Sequence, residues 1–346
     1  MAKPGCDPYR SQYTKCPAPP DLKLQVMLDS GAHSAWSKGV VLDIEKYARF
    51  MENTPGFATR VNLDVVPGRR NCSLTSSMIE DAATQSWKNY QWLTKRGFSV
   101  LPVFHTGERF YWLDKMLGEG IDYVGLGGIV SDSRARRVRW LDKVFTHITD
   151  SRGIPYLKTH GFGVSDFQIM RRYPWFSCDS ASWMLSGAMG QGWCGSTRVS
   201  LGRKLSSAHV SMMSESEQHH ITQNLDVKRL SESWSARLYH QAQYYLQTTQ
   251  AIATKPFLHS NDSLFRYDLT PRAKSTAKLW SHLTFIFVVP RSSDFSSVLN
   301  MLGVSQRLLS YNELRTFKQP EATMQYYFNQ GLFPSTQQLV RQSRRK

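Results

Sequence analysis

Between residues 24 and 183 the chain repeats one unit: a short apolar run closed by Gly, Asp, Ser, Val or His, then a stretch of helical periodicity. The runs are Leu24–Ser30, Thr59–Val66, Ser99–His105, Tyr123–Val130, Tyr156–Gly161 and Phe176–Asp179. Between them Asp43–Asn53, Ser77–Arg96, Arg109–Glu119, Arg134–Ser151 and Ser165–Arg172 carry apolar residues at helical spacing. Strands joined by helices of this length pair in parallel, because each crossover returns the chain to the end where it began. A doubly wound sheet and a barrel both satisfy the pattern. The polar residues that close the runs, Asp29, Asp64, His105 and Asp179, favour the barrel, whose chemistry sits at the C-terminal rim of its strands. A dinucleotide-binding sheet would want Gly-x-Gly-x-x-Gly after the first run, and Asp29–Ser34 does not supply it.

The expected fold class is therefore α/β, a (β/α)8 TIM-type barrel, regular or irregular, with a mostly helical C-terminal elaboration. Residues 1–20, rich in proline, read as an extended arm, and residues 21–204 as the catalytic barrel core. Residues 205–346 read as a helical region, with its part in completing the barrel or contacting nucleic acid left open. Within it Leu230–Ala253 predicts a long helix and Leu283–Val289 an apolar strand that the sequence does not place. The Gly-rich segment Gly187–Gly195 predicts a flexible loop over the site.

Asp179 stands among small residues in an otherwise apolar stretch, Trp175–Trp183, and Asp29 stands the same way after Leu24–Leu28. A carboxylate in such surroundings is costly unless it is solvated, paired or used in chemistry. Two acids facing one gap suit the breaking of a glycosidic bond, in which one traps the sugar and the other manages the leaving group. The plainer alternatives stay open: Asp29 and Asp64 as turn caps, His105 and His160 as hydrogen-bonded barrel residues, Gly127 and Gly128 as close-packing positions.

Lys and Arg number 43 against 27 Asp and Glu, a formal charge of +16, and between 131 and 210 the count is twelve to five. Such an excess favours a polyanion, nucleic acid first. Arg134, Arg136, Arg137, Arg139, Arg171, Arg172, Arg203 and Lys204 are the candidate phosphate contacts, with the solvated face of a helix as the alternative for 134–139. The five cysteines form no Cys-x-x-Cys and lack zinc-finger spacing to His, so no metal and no zinc are expected. No run reaches membrane-spanning length and the N-terminus lacks a signal-peptide core, which predicts a cytoplasmic protein without a membrane partner.

Six segments, taken in order, resemble the guanine transglycosylases that act on nucleic acids: the tRNA-guanine (queuine) enzymes and, more closely, their phage-encoded DNA-modifying relatives. Leu28–Ala32 is similar to the Asp-Ser-Gly-Gly segment, which makes Asp29 the acid/base. Asn62–Asp64 is similar to the strand whose Asp reads the guanine edge, and Gly127–Ile129 to a Gly-Gly-Leu whose backbone approaches the base. Val103–Gly107 stands where the family has Val-Gln-Gly-Gly, with His105 in place of Gln as a base contact. His160–Gly163 stands where the tRNA enzymes have Met-Gly-Val-Gly, with His160 in place of the stacking Met. Ser177–Asp179 is similar to the Phe-Asp-Cys segment of the nucleophile, which makes Asp179 the nucleophile.

The resemblance implies exchange of guanine in DNA for a 7-deazaguanine base such as preQ0, the incoming base being a co-substrate and no other cofactor being needed. It further implies the cytoplasm of a host cell if the chain is phage-encoded, and a part in evading restriction. The Cys-x-Cys-x-x-Cys motif of the tRNA enzymes is absent, which favours DNA, with tRNA exchange by a chain lacking the zinc subdomain as the runner-up. A barrel glycoside hydrolase and a non-catalytic nucleic-acid-binding barrel are the remaining readings. The oligomeric state is not legible.

Overall fold

A computed structural model of the protein describes residues 23–53, 58–68, 72–130, 132–194, 197–200, 215, 234–259, 278–280, 283–289 and 324–329. The arm at 1–20 and the candidate phosphate contacts Arg203 and Lys204 lie outside the described residues.

The fold is mixed α/β around a largely parallel sheet. In chain order the first half runs β1 (Lys23–Leu28), α1 (Ala32–Lys38), α2 (Ile44–Asn53), β2 (Thr59–Arg60), α3 (Ser76–Lys95), β3 (Val103–His105), α4 (Phe110–Gly118), β4 (Tyr123–Gly127) and α5 (Arg134–Ile148). It continues with β5 (Lys158–Gly161), α6 (Phe167–Arg172), β6 (Ser177–Ser180), α7 (Ser182–Ala188), β7 (Gln191–Cys194), β8 (Thr197–Ser200), α8 (Trp234–Gln250), β9 (Thr284–Val289) and β10 (Met324–Asn329). Eight strands pair in the order β2-β1-β10-β9-β6-β5-β4-β3. All run parallel except β10, which is antiparallel to both β1 and β9. The two ends of that order, β2 and β3, are brought together: Val61 bridges Leu101, with Leu101 N–H donating to the Arg60 carbonyl at 2.7 Å and Asn62 N–H to the Leu101 carbonyl at 2.8 Å.

Alternation along the strands divides the apolar side chains between two cores. Leu28, Phe104, Val124, Leu126, Cys178 and Phe285 belong to the large cluster shared with the helices. Their neighbours Met27, Val61, Leu101, Val103 and Ile286 form a second, small cluster, with Tyr123 and Phe162 packed against it. Some helices start where a capping side chain stands: Thr75 accepts from Met78 N–H before α3, and Asp166 accepts from Gln168 N–H and Ile169 N–H before α6.

Two sequence expectations change. The described part of the Gly-rich segment is not a loop: it supplies the end of α7 and the strand β7 that pairs with β8, and Gly187 packs so closely on α8 that a Cβ there would lie 2.9 Å from Leu238 Cδ2. Its glycines serve contact and turning rather than flexibility, as at Gly190 with φ 71°. The C-terminal region is also not only helical. Its strands β9 and β10 stand inside the main sheet between β6 and β1.

Candidate active site

Asp29, Asp64, His105, Gly127 and Asp179 all stand at or just beyond the C-terminal ends of parallel strands, and so at one end of the sheet. Asp29 follows β1, packed deep among protein atoms yet still partly open to solvent. Burial, then the negative charges of Asp64 and Asp179, push its carboxyl up to about 8, against the opposing pull of the Gly31 and Ser30 backbone amides. A carboxyl raised that far is mostly protonated at neutral pH.

Asp64 is fixed by α3. Asn62 donates to the Ser86 carbonyl at 2.9 Å, Asn89 donates to the Leu63 carbonyl at 2.7 Å, and Ser86 Oγ accepts from Val65 N–H at 2.8 Å. These contacts hold the irregular segment beyond β2 in place. The Asp64 carboxylate accepts from Ser30 Oγ at 3.1 Å and meets His105 Nε2 at 3.0 Å. On its other side His105 meets Glu108 through Nδ1, at 3.1 Å. Burial alone would push the His105 imidazole down, but hydrogen bonds and charges from Asp64 and Glu108 win and raise it to about 10. The ring is thus an imidazolium clamped between two carboxylates. Sequence reasoning missed Glu108. Its signal was the three-residue spacing in His105–Glu108, a tight turn through Gly107 with φ 91°.

Gly127 and Gly128 serve this cluster. A Cβ on Gly127 would lie 2.8 Å from His105 Cδ2 and 3.0 Å from Val103 Cγ1. At Gly128, with φ +76°, a Cβ would lie 2.6 Å from Thr106 Oγ1. Both glycines therefore admit the end of β3, which realises the close-packing alternative.

Asp179 is 3% exposed on β6, opposite Ile286 of β9, and its Oδ1 accepts from Gly163 N–H. His160 on β5 lies beside it with no exposed surface. Its Nδ1 is 2.8 Å from Ser177 Oγ, which is 2.6 Å from Tyr123 OH. His160 Nε2 points toward Asp179 Oδ2 at 3.9 Å and is buried without a hydrogen-bond partner. His160 is enclosed by Phe162, whose ring is 4.4 Å away, and by Ser177, the surroundings of a hydrogen-bonded core residue.

The basic residues divide by position. Arg134, Arg136 and Arg137 stand in the first turn of α5, just past the C-terminal end of β4 and so on the site's side of the sheet. Arg134 pairs with Asp166 at 3.2 Å and Arg136 with Asp132 at 4.0 Å. Arg139 is exposed further along α5. Arg171 and Arg172 end α6, which leads away from the site, and Arg172 is held by Asp142 at 2.9 Å. Among the described residues no group of His, Cys, Asp and Glu is placed to hold a metal ion, and no helix is long and apolar enough to cross a membrane. No protein-family model, curated protein or solved structure matches the chain.

Proposed function

We propose that the protein is a transglycosylase that exchanges guanine in DNA for a 7-deazaguanine base such as preQ0, on an irregular (β/α)8 barrel of seven parallel strands and one antiparallel strand. The Val61–Leu101 bridge and the inner cluster drawn from β1, β3 and β9 together support the barrel. The observation that carries the chemistry is the placing of Asp29, Asp64 and Asp179 at or just beyond the C-terminal ends of parallel strands at one end of the sheet, where the charges of Asp64 and Asp179 add to the burial that raises the Asp29 carboxyl to about 8. Environment then separates the roles of two like groups.

In the first displacement an Asp179 carboxylate oxygen attacks C1′ as the bond from C1′ to guanine N9 breaks, and Asp29 gives its proton to the departing base. The sugar is left esterified to Asp179 with Asp29 ionised. In the second, Asp29 takes a proton from the incoming base, whose nitrogen attacks C1′ and releases Asp179. Two inversions preserve the β configuration. Asp64 reads the N1/N2 edge of guanine, with the imidazolium of His105 fixing its carboxylate. The target nucleotide must leave the duplex stack to reach these acids, a cost of a few kcal/mol that contacts from the Arg134–Arg137 turn to phosphate offset.

The test is nucleoside mass spectrometry of DNA and of tRNA after incubation with isotope-labelled guanine or preQ0 and either wild type or Asp179→Ala. Label in DNA with wild type alone is the expected result. Label in tRNA only moves the substrate to tRNA. No label in either, with DNA still bound, leaves a nucleic-acid-binding barrel, and hydrolysis of a glycan without base dependence leaves a glycosidase.

A further inference from the structure

The groups around His160 are ordered in a line. Tyr123 on β4, Ser177 on β6 and His160 on β5 are linked by contacts of 2.6 Å and 2.8 Å, and the line ends 3.9 Å from Asp179 Oδ2. His160 has no exposed surface, and its Nε2 has no other partner. An imidazole nitrogen facing a carboxylate oxygen is repelled when it presents a lone pair and attracted when it presents N–H. That end condition sets the direction of the whole line: Tyr123 O–H toward Ser177 Oγ, Ser177 O–H toward His160 Nδ1, and the remaining ring proton on Nε2 toward Asp179.

We propose that His160 is a positioning residue for Asp179, its Nε2–H directed at Oδ2 by the Ser177–Tyr123 pair, so that the carboxylate is held from one side by Gly163 N–H and from the other by His160. The proposal rests on the reading of Asp179 as the nucleophile. A shift of about 1 Å in the carboxylate brings Oδ2 within bonding range of Nε2, and such contacts are commonly long in ligand-free sites and tighten in the complex. The donor acts whenever Asp179 is an anion. It therefore orients the attack in the first displacement and stabilises the carboxylate released in the second.

Two variants separate this role from a base contact. The amide nitrogen of Gln reaches the place of imidazole Nε2, and the amide oxygen of Asn the place of Nδ1, where it accepts from Ser177 as the ring does. His160→Gln keeps a donor for Asp179, whereas His160→Asn keeps only the contact with Ser177. In the labelled-base exchange assay, His160→Asn is expected to lose roughly 100-fold in kcat, the scale of a misplaced reacting group, with KM for the base unchanged. His160→Gln is expected to recover most of that loss. A raised KM at unchanged kcat, or equal losses in both variants, overturns the proposal. Independently of activity, two-bond 15N–1H spectra of wild type read the tautomer, with the His160 signals identified by their absence in His160→Gln. A proton on Nε2 is expected, and a proton on Nδ1 overturns the proposal. A wild type without any exchange activity overturns the transglycosylase reading itself, and the nucleophile's positioning falls with it; the spectra tell that failure apart from an incorrect line of hydrogen bonds.

Discussion

The charge of Asp179, on β6, helps hold the carboxyl of Asp29, beyond β1, up at about 8 although β9 and β10 stand between those strands in the sheet. A flat sheet would keep them about 14 Å apart, three strand spacings, where solvent and salt screen such an effect. Closure of the sheet into the proposed barrel would shorten that distance. On the proposed barrel, the pairing of Val61 with Leu101 and the raised acid are two consequences of one shape.

Replacing Asp29 by Asn should make the fold more resistant to alkali while abolishing exchange. The folded chain keeps the Asp29 proton up to about pH 8, whereas an unfolded Asp releases it near 3.8. Over that window the native state binds more protons than the unfolded one, so stability falls as pH rises. Asn does not titrate, and Asp29→Asn removes this slope, worth at most about 1.4 kcal/mol per pH unit. Denaturant titrations at pH 5 and pH 8 check it. Wild type should lose more stability than Asp29→Asn between the two, and equal losses would show that Asp29 does not hold its proton.

Glu108→Gln tests the clamp on His105. The ring's raised value, about 10 against 6.5 unfolded, means that its contribution is fully present below about pH 6.5 and is lost as pH rises toward 10. With a neutral amide beside Nδ1 the imidazolium keeps only Asp64, so the ring should titrate lower. The variant should also lose about 1–3 kcal/mol at pH 6, as expected for a buried partner removed. Two-dimensional NMR of the His105 ring against pH reads the shift directly; an unmoved titration would remove Glu108 from the site.

The helices and most strand positions were legible because burial on one face imposes a period, and α2 through α6 begin within two residues of the readings from sequence. Strand ends were less so. Tyr123–Val130 stops as β4 at Gly127, because Gly128 turns at positive φ, and Thr59–Val66 pairs regularly only over two residues before side chains of α3 take over its backbone groups. Asp29, Asp64 and Asp179 stood out because an acid amid apolar residues is rare without cause. Glu108 did not, since its partner is set by a turn rather than by a strand. Nor did the place of β9 and β10, which enter the sheet after long connections that carry no β-α period. The role of His160 depended on which side of β5 faces Ser177, and that is a matter of register.

Gly127→Ala should be destabilising for a reason specific to His105. The new Cβ meets His105 Cδ2 at 2.8 Å, and the ring, bonded at both nitrogens, cannot turn away. A loss of about 1–3 kcal/mol is expected from such overpacking. In a His105→Ala background the same substitution should cost markedly less, a coupling that a double-mutant cycle measures. Additive losses would mean that Val103, at 3.0 Å, is the obstacle instead.

The two groups of arginines predict different salt behaviour on DNA. A phosphate contact contributes roughly one unit to the slope of log K against log salt, and its removal lowers affinity without regard to sequence. Arg134, Arg136 and Arg137 stand at the N-terminus of α5, where the helix dipole disfavours cations by a few tenths of a kcal/mol each, about the scale of a surface interaction. A bound phosphate reverses that penalty, because it is attracted by the dipole and the side chains together. Substituting all three by Gln should therefore flatten the slope by about two to three units. Arg171 and Arg172 lie about 6–8 Å along α6 from its start on the site's side, four and five helical rises, and Arg172 already faces Asp142. Their double Gln variant should leave the slope unchanged. Fluorescence anisotropy with a labelled duplex across a salt series checks both. Equal flattening in the two variants would spread the nucleic-acid surface around the fold instead of confining it to the end where Asp29 and Asp179 stand.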